Sequence, residues 1–359
     1  MLRPPQVAVL TVATMLAGMV AASSGATAAP SLSAQSAGAS KTATHKVIVL
    51  LKDQPKAVSA RSAAFAARQS QIAASQAPLA KELKATSTHV HSYQLVNAMS
   101  ATVSTAEEAS LEANPTVASV IPDEVIKAPS VAEKATSTAS TRTAPAGTCP
   151  TGSTPLLEPE ALGVTKTQSD NPKDKTARSL GYTGAGVKVA YMAEGIDINN
   201  PDFIRADGSH VFTDYQDFSS DGTAAPTDGA EAFLDASAIA AQGLHTYNIQ
   251  NFAAVPLDQP CNIRIEGVAP GASLVGLKVF ADNNASLTSG FLQAIDYAVK
   301  TKVDVLNQSF GANPFPDNAT ADAIALFDAA AAKAGSPSPC RAATPVRRTP
   351  SAPQRPRRR

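Results

Sequence analysis

Three short apolar runs, at residues 186–192, 272–280 and 303–309, alternate along the chain with helical stretches at 229–242, 287–300 and 319–334. Because the runs are mostly apolar, with no strict polar alternation, both faces of each strand need covering. Strands separated by crossover helices meet that need as a parallel sheet. The pattern therefore predicts an α/β fold with a doubly wound parallel sheet over residues 181–335. At Gly335 the helical pattern stops. Residues 336–359 carry seven Arg and six Pro and no acid, so they read as a disordered tail and the sheet reads as incomplete.

A smaller unit precedes it. Residues 46–51 form a short apolar strand, 57–84 an alanine-rich helical stretch interrupted at Pro78, and two further strands surround Asn97. Thr105-Ala106-Glu107-Glu108 supplies a capping box for a helix that ends near Asn114-Pro115, and 117–121 is a last strand. The order β-α-β-β-α-β predicts a small ferredoxin-like α+β domain over residues 45–127. Residues 29–44 read as a flexible leader, and 128–180, rich in Ser, Thr, Ala and Pro, as a linker with an irregular lead-in.

Arg3, the apolar stretch 7–22 and Ala26-Thr27-Ala28 have the layout of a secretory signal peptide cleaved after Ala28. The stretch is short for a hydrocarbon layer of about 30 Å, so a secreted protein with no membrane partner after cleavage is expected. Outside the cell, Cys149, Cys261 and Cys340 allow one disulfide, with Cys149 to Cys261 preferred. Their spacing matches no zinc motif, and Asp214, Asp217, Asp221 and Asp228 lack the alternating pattern of a calcium loop, so no metal or other cofactor is expected. Charge is balanced, at 30 Lys+Arg against 30 Asp+Glu. The basic tail adjoins no nucleic-acid-binding fold, so no nucleic acid is expected as a partner. A chain with no Trp and no internal repeat offers no aromatic platform for polysaccharide.

Gly267-Val268-Ala269-Pro270-Gly271-Ala272 followed by the run to Phe280, and later Asp304-Val305-Leu306-Asn307-Gln308-Ser309-Phe310-Gly311, resemble the middle of the subtilisin-like serine peptidases. Tyr182-Thr183-Gly184-Ala185-Gly186-Val187-Lys188-Val189-Ala190, with Gly195-Ile196-Asp197 and Pro201-Asp202-Phe203 after it, resembles their first core strand. The small domain is similar to their inhibitory propeptide, most closely at 97–123. The resemblance implies a secreted endopeptidase precursor of the subtilisin and sedolisin clan, with a polypeptide substrate and its own propeptide domain in the peptidase cleft.

The catalytic positions depart from the subtilisin pattern. Ala193 stands where that pattern has its aspartate; Glu194 follows and offers a carboxylate one residue on. There is no His-Gly-Thr, and His210 and His245 lie in polar contexts expected to be solvated surface. Near the missing histidine stands Glu231-Ala232-Phe233-Leu234-Asp235, which resembles the Glu-x-x-x-Asp of sedolisins, where the glutamate is the general base and the acid orients it. Residues four apart share a helix face with Cβ atoms about 5–6 Å apart, close enough that one pKa rises. Such a pair accepts a serine proton at acidic pH. The competing reading is that acids favour the first turn of any helix.

Ser309, Phe310 and Gly311 resemble the strand on which these peptidases bind substrate backbone. Asn307 and Gln308 are polar within an apolar strand, as suits a strand leading into a cleft. Thr288-Ser289-Gly290 has the wrong order for the nucleophile motif, and Ser289 reads as a helix-start residue. No Gly-Thr-Ser follows Ala334, so the chain as written is expected to be truncated, with its end out of frame, and inactive. The alternative expectation is a non-catalytic inhibitor or folding chaperone acting on another peptidase.

Overall fold

The computed structural model describes residues 44–127, 142–144, 146–157, 161–219, 221, 231–252, 257–310 and 322–336. The expected signal peptide and leader, much of the linker, Asp228, Gly311, Cys340 and the basic tail lie outside the described residues. No described helix is long and apolar enough to cross a membrane.

The first domain runs β1 (Thr44–Leu51), α1 (Ala64–Thr86), β2 (Thr88–Ser92), β3 (Ala98–Ser104), α2 (Thr105–Ala113) and β4 (Val117–Pro122), with sheet order β2-β3-β1-β4. Every pairing is antiparallel. Val47, Val49 and Leu51 project from one face of β1 into a core with Leu79 and Leu83 of α1 and Leu111 of α2; Ile48 points the other way.

Two local expectations need correction. Helix α1 starts at Ala64 rather than Ala57 and runs uninterrupted through Pro78. Pro78 is exposed while Phe65, Ile72, Leu79 and Leu83 are buried, so the carbonyl it frees meets water and the apolar face keeps the helix continuous. The cap of α2 is Ser104, one residue before the expected Thr105: its Oγ accepts the Glu107 N–H, and the Glu107 carboxylate accepts the Ser104 N–H at 2.7 Å.

Beyond β5 (Val125–Lys127) and β6 (Leu156–Leu157) come β7 (Lys188–Ala193), β8 (Phe212–Asp217), α3 (Glu231–Ala240), β9 (Gln242–Asn248), β10 (Asn262–Glu266), β11 (Ser273–Lys278), β12 (Ala285–Leu287), α4 (Thr288–Lys300), β13 (Val305–Gln308) and α5 (Ala323–Ala334). The central sheet has the order β13-β7-β11-β8 with every pairing parallel. Side chains of α3 cover one face with Tyr191 and Leu274; α4 and α5 cover the other with Met192, Val275 and Leu306. This is the two-faced burial that the apolar runs require.

Strands β8, β9 and β10 were not foreseen, because their polar residues, as in Phe-Thr-Asp-Tyr-Gln-Asp, interrupt any apolar run. Asp214 and Asp217 consequently lie on β8 rather than in a loop, and His245 lies exposed on β9. Cys149 pairs with Cys261.

The two parts share one core. Tyr93, fully buried, sets its ring edge-on to Phe327 of α5 at 5.0 Å, and its hydroxyl donates to the Ser289 carbonyl at 3.2 Å. Asp296 of α4 accepts the backbone N–H groups of Gln94 and Leu95. In the opposite direction, Asp123 accepts the Ser289 N–H at 2.8 Å in the first turn of α4. Arg61 reaches across to Asp304 at 2.6 Å.

Candidate active site

The site begins where β7 ends. Ala193 is the last residue of the strand, and the chain turns to bury Glu194, which is 2% exposed. Glu194 Oε1 accepts the Glu231 N–H at 2.7 Å, satisfying one of the orphan donors at the start of α3. The other end of α3 is held by the Gly267-Val268-Ala269 segment: the N–H of Val268 donates to the Ala238 carbonyl, that of Ala269 to Ile239, and that of Gly267 to Ala241. This docking needs glycine, since a Cβ on residue 267 would stand 2.3 Å from the Ala240 nitrogen.

With both ends fixed, α3 presents Asp235 to the carboxyl end of β13. Ser309 Oγ donates to Asp235 Oδ1 at 2.8 Å, and Asn307 Nδ2 donates to Asp235 Oδ2 at 3.0 Å. Asn307 Nδ2 also reaches Ser309 Oγ at 2.9 Å, which closes a triangle of three side chains. Asn307 and Ser309, two apart on an extended segment, share one face. Gln308 points to the other face and donates to Asp328 of α5 at 2.6 Å. That division explains the polar pair in an apolar strand.

Burial pushes the Asp235 carboxyl up to about 6, the charges of Glu231 and Glu194 add to the rise, and the bonds from Ser309 and Asn307 oppose it. Glu231 is raised by burial first and then by the charge of Glu194. Among the described residues, no hydrogen bond reaches the Glu231 carboxyl. The structure thus brings Glu231, Asp235 and Ser309 together, but both oxygens of Asp235 serve β13 and neither bonds Glu231. A raised carboxyl can accept a hydroxyl proton in the acid range, where an imidazole is already cationic.

Phe310 is 3% exposed and packs on Phe291 at 4.4 Å and Phe280 at 6.0 Å, so its ring belongs to the core. Gly311 lies outside the described residues. Ser289 sits in the first turn of α4. Among the described residues, no group of three His, Cys, Asp or Glu is arranged to hold a metal.

One relationship escaped the sequence. Strand β5 adds antiparallel to β12, pairing Val125 with Leu287, Ile126 with Ser286 and Lys127 with Ala285, and the Thr288 N–H donates to the Glu124 carbonyl at 2.9 Å. The end of the small domain is thus an extended peptide bound by strand addition to the larger one. Its only sequence signal is Val125-Ile126, an apolar pair after Asp123 and too short to read as a strand.

Known proteins match the two parts separately. Residues 184–344 match the subtilase family model, and residues 46–129 match the peptidase inhibitor I9 model. The chain is 33% identical over 143 residues to subtilisin E of Bacillus subtilis, covering 39% of this chain and 30% of that protein. It is 31% identical over 150 residues to the minor extracellular protease Vpr of Bacillus subtilis, covering 41% of this chain and 17% of that protein. It is 32% identical over 145 residues to the human membrane-bound transcription factor site-1 protease, covering 40% of this chain and 11% of that protein. The matched region spans less than a third of each of these relatives.

Proposed function

Since the chain belongs to the subtilase superfamily and carries an inhibitor I9 domain ahead of its peptidase-type domain, we propose that it is the precursor of a secreted, acid-favoured serine endopeptidase acting on polypeptides. In this reading Glu231 is the general base, Asp235 ties the helix that carries it to β13 through Ser309 and Asn307, and the backbone from Ser309 to Gly311 binds the substrate. The small domain is the enzyme's own inhibitor, with residues 125–127 in the place of a bound peptide. The observation that carries the reading is the addition of β5 to β12, a substrate-like strand supplied in cis. The 359 residues hold no Gly-Thr-Ser, so this polypeptide forms no acyl-enzyme by itself.

The second reading, an inhibitor or chaperone acting on another peptidase, meets an obstacle. Tyr93, Leu95 and Val96 are buried in one core with Phe291, Ile295 and Phe327, so the surface that would meet a foreign peptidase is already occupied.

Sequencing the gene from codon 325 past the codon for Arg359, in all three frames, tests the choice. A frame encoding a further sheet strand and a Gly-Thr-Ser supports the endopeptidase. If no frame encodes them, that reading falls and the inhibitor is left.

A further inference from the structure

We infer that Glu194, rather than Asp235, is the positioning residue for Glu231: a carboxyl buried at the end of β7 that accepts the Glu231 N–H, fixes the first turn of α3 and places a second carboxyl beside the base. The inference rests on the peptidase reading for its purpose, but the contact on which it depends is a property of the chain whatever it catalyses.

Three observations lead to it. Asp235 lies four residues after Glu231, yet its two oxygens accept from Ser309 and Asn307, and no hydrogen bond joins it to Glu231. Glu194 is 2% exposed, and its one hydrogen bond among the described residues is to the N–H of Glu231 itself. Its second oxygen, Oε2, is buried with no hydrogen-bond partner among the described residues. A carboxyl is costly to bury with an oxygen unpaired, so a neutral leucine or alanine would serve packing better at this position. What only an acid supplies there is charge within reach of Glu231, and that charge is one of the two causes of the raised Glu231 carboxyl.

Among the described residues, the groups that interact with this pair are few. Tyr191 of β7, buried with its hydroxyl unpartnered among the described residues, interacts electrostatically with both Glu194 and Asp235. Asp235 follows on α3 and interacts with both glutamates. No arginine, lysine or histidine figures among the groups that shift Glu231 or Asp235. Glu194 thus works against ionisation of Glu231, and among the described residues no cation offsets it. A base held this way keeps its proton at neutral pH more readily than an isolated glutamate and gives it up over a higher pH range.

The test uses the full chain with carboxyl-13C-labelled glutamate, followed by NMR from pH 3 to 8, with Glu231 assigned through Glu231→Gln. The unsubstituted chain is expected to titrate Glu231 above the ordinary glutamate value of about 4.3. In Glu194→Gln the amide oxygen still accepts the Glu231 N–H, so α3 keeps its start while the Glu231 midpoint falls towards that value. A purely structural residue would leave the midpoint unmoved. Asp235→Asn, at a residue whose carboxyl bonds Ser309 and Asn307, is the comparison that decides the matter if Glu194→Gln does not fold, and there the Glu231 midpoint is expected to stay where it is. A Glu231 midpoint unmoved in folded Glu194→Gln, or one that falls in Asp235→Asn, overturns the inference. Since the readout is titration, a failed peptidase reading with an intact coupling is distinguishable from the reverse.

Discussion

The Ser309 hydroxyl donates to Asp235 Oδ1 across 2.8 Å, joining the end of β13 to the middle of α3. It holds the Asp235 carboxyl below where burial alone would put it. Ser309→Ala removes that donor and leaves the carboxyl buried. The Asp235 midpoint is therefore expected to climb above about 6, with a loss of about 1 kcal/mol in stability. Carboxyl-13C NMR of labelled aspartate reads the first and urea unfolding the second. A midpoint that falls in Ser309→Ala contradicts the assignment of this bond.

Stability should favour mild acid. Asp235 and Asp296 are both raised to about 6, in each case by burial first. A carboxyl whose folded pKa lies above its unfolded value stabilises the fold below the unfolded value, near 3.8, and that stabilisation is lost as pH rises through the folded value. Between pH 5 and 7 each group should remove on the order of 1 kcal/mol. Thermal melts across that range are expected to fall, and the fall should shrink in a chain carrying both Asp235→Asn and Asp296→Asn. A wild-type melting temperature that climbs from pH 5 to 7 runs against this account.

Gly267→Ala tests how α3 is aimed. The added Cβ would lie 2.3 Å from the Ala240 nitrogen and 2.5 Å from the Ile239 oxygen, both backbone atoms, so the helix end must shift. The expected cost is about 1–3 kcal/mol. Loss of the Asp235 titration near 6 should accompany it, because Asp235 moves with the helix. An unshifted Asp235 midpoint in a folded Gly267→Ala chain shows that the segment does not position the site.

Phe327→Ala tests whether the two parts are one cooperative unit. Phe327 is 1% exposed and contacts Tyr93 edge to face. Truncating a buried Phe costs about 3–5 kcal/mol. Its loss should raise hydrogen exchange at Gln94 and Leu95, whose N–H groups Asp296 holds. Exchange that rises only within α5 indicates that the domains open independently.

The sequence revealed those parts of the fold whose signal is local. The runs at 186–192, 272–280 and 303–309 became β7, β11 and β13 because burial on both faces keeps most of their residues apolar. The ferredoxin-like order of the small domain was legible from its caps, turns and alternation. Strands β8, β9 and β10 were invisible because each carries polar side chains that break any apolar run. Strand β5 was invisible for a different reason: three residues become a strand only when β12, far along the chain, offers its edge.

The site was legible in the same uneven way. Spacing alone placed Glu231 and Asp235 on one helix, but whether Asp235 turns to Glu231 or to β13 is decided by how Gly267 docks α3. Glu194 was visible as a shifted carboxylate after β7. Its bond to the Glu231 N–H depends on a tertiary contact that no sequence period encodes.

Casein hydrolysis by the purified 359-residue chain and its Glu231→Gln variant, between pH 4 and 7, tests the central claim most directly. The account predicts no hydrolysis by either, since the 359 residues hold no Gly-Thr-Ser whose serine the proposed base, Glu231, could deprotonate. Hydrolysis by a homogeneous preparation that persists in Glu231→Gln contradicts the account, because cleavage would then proceed without the residue assigned as its base.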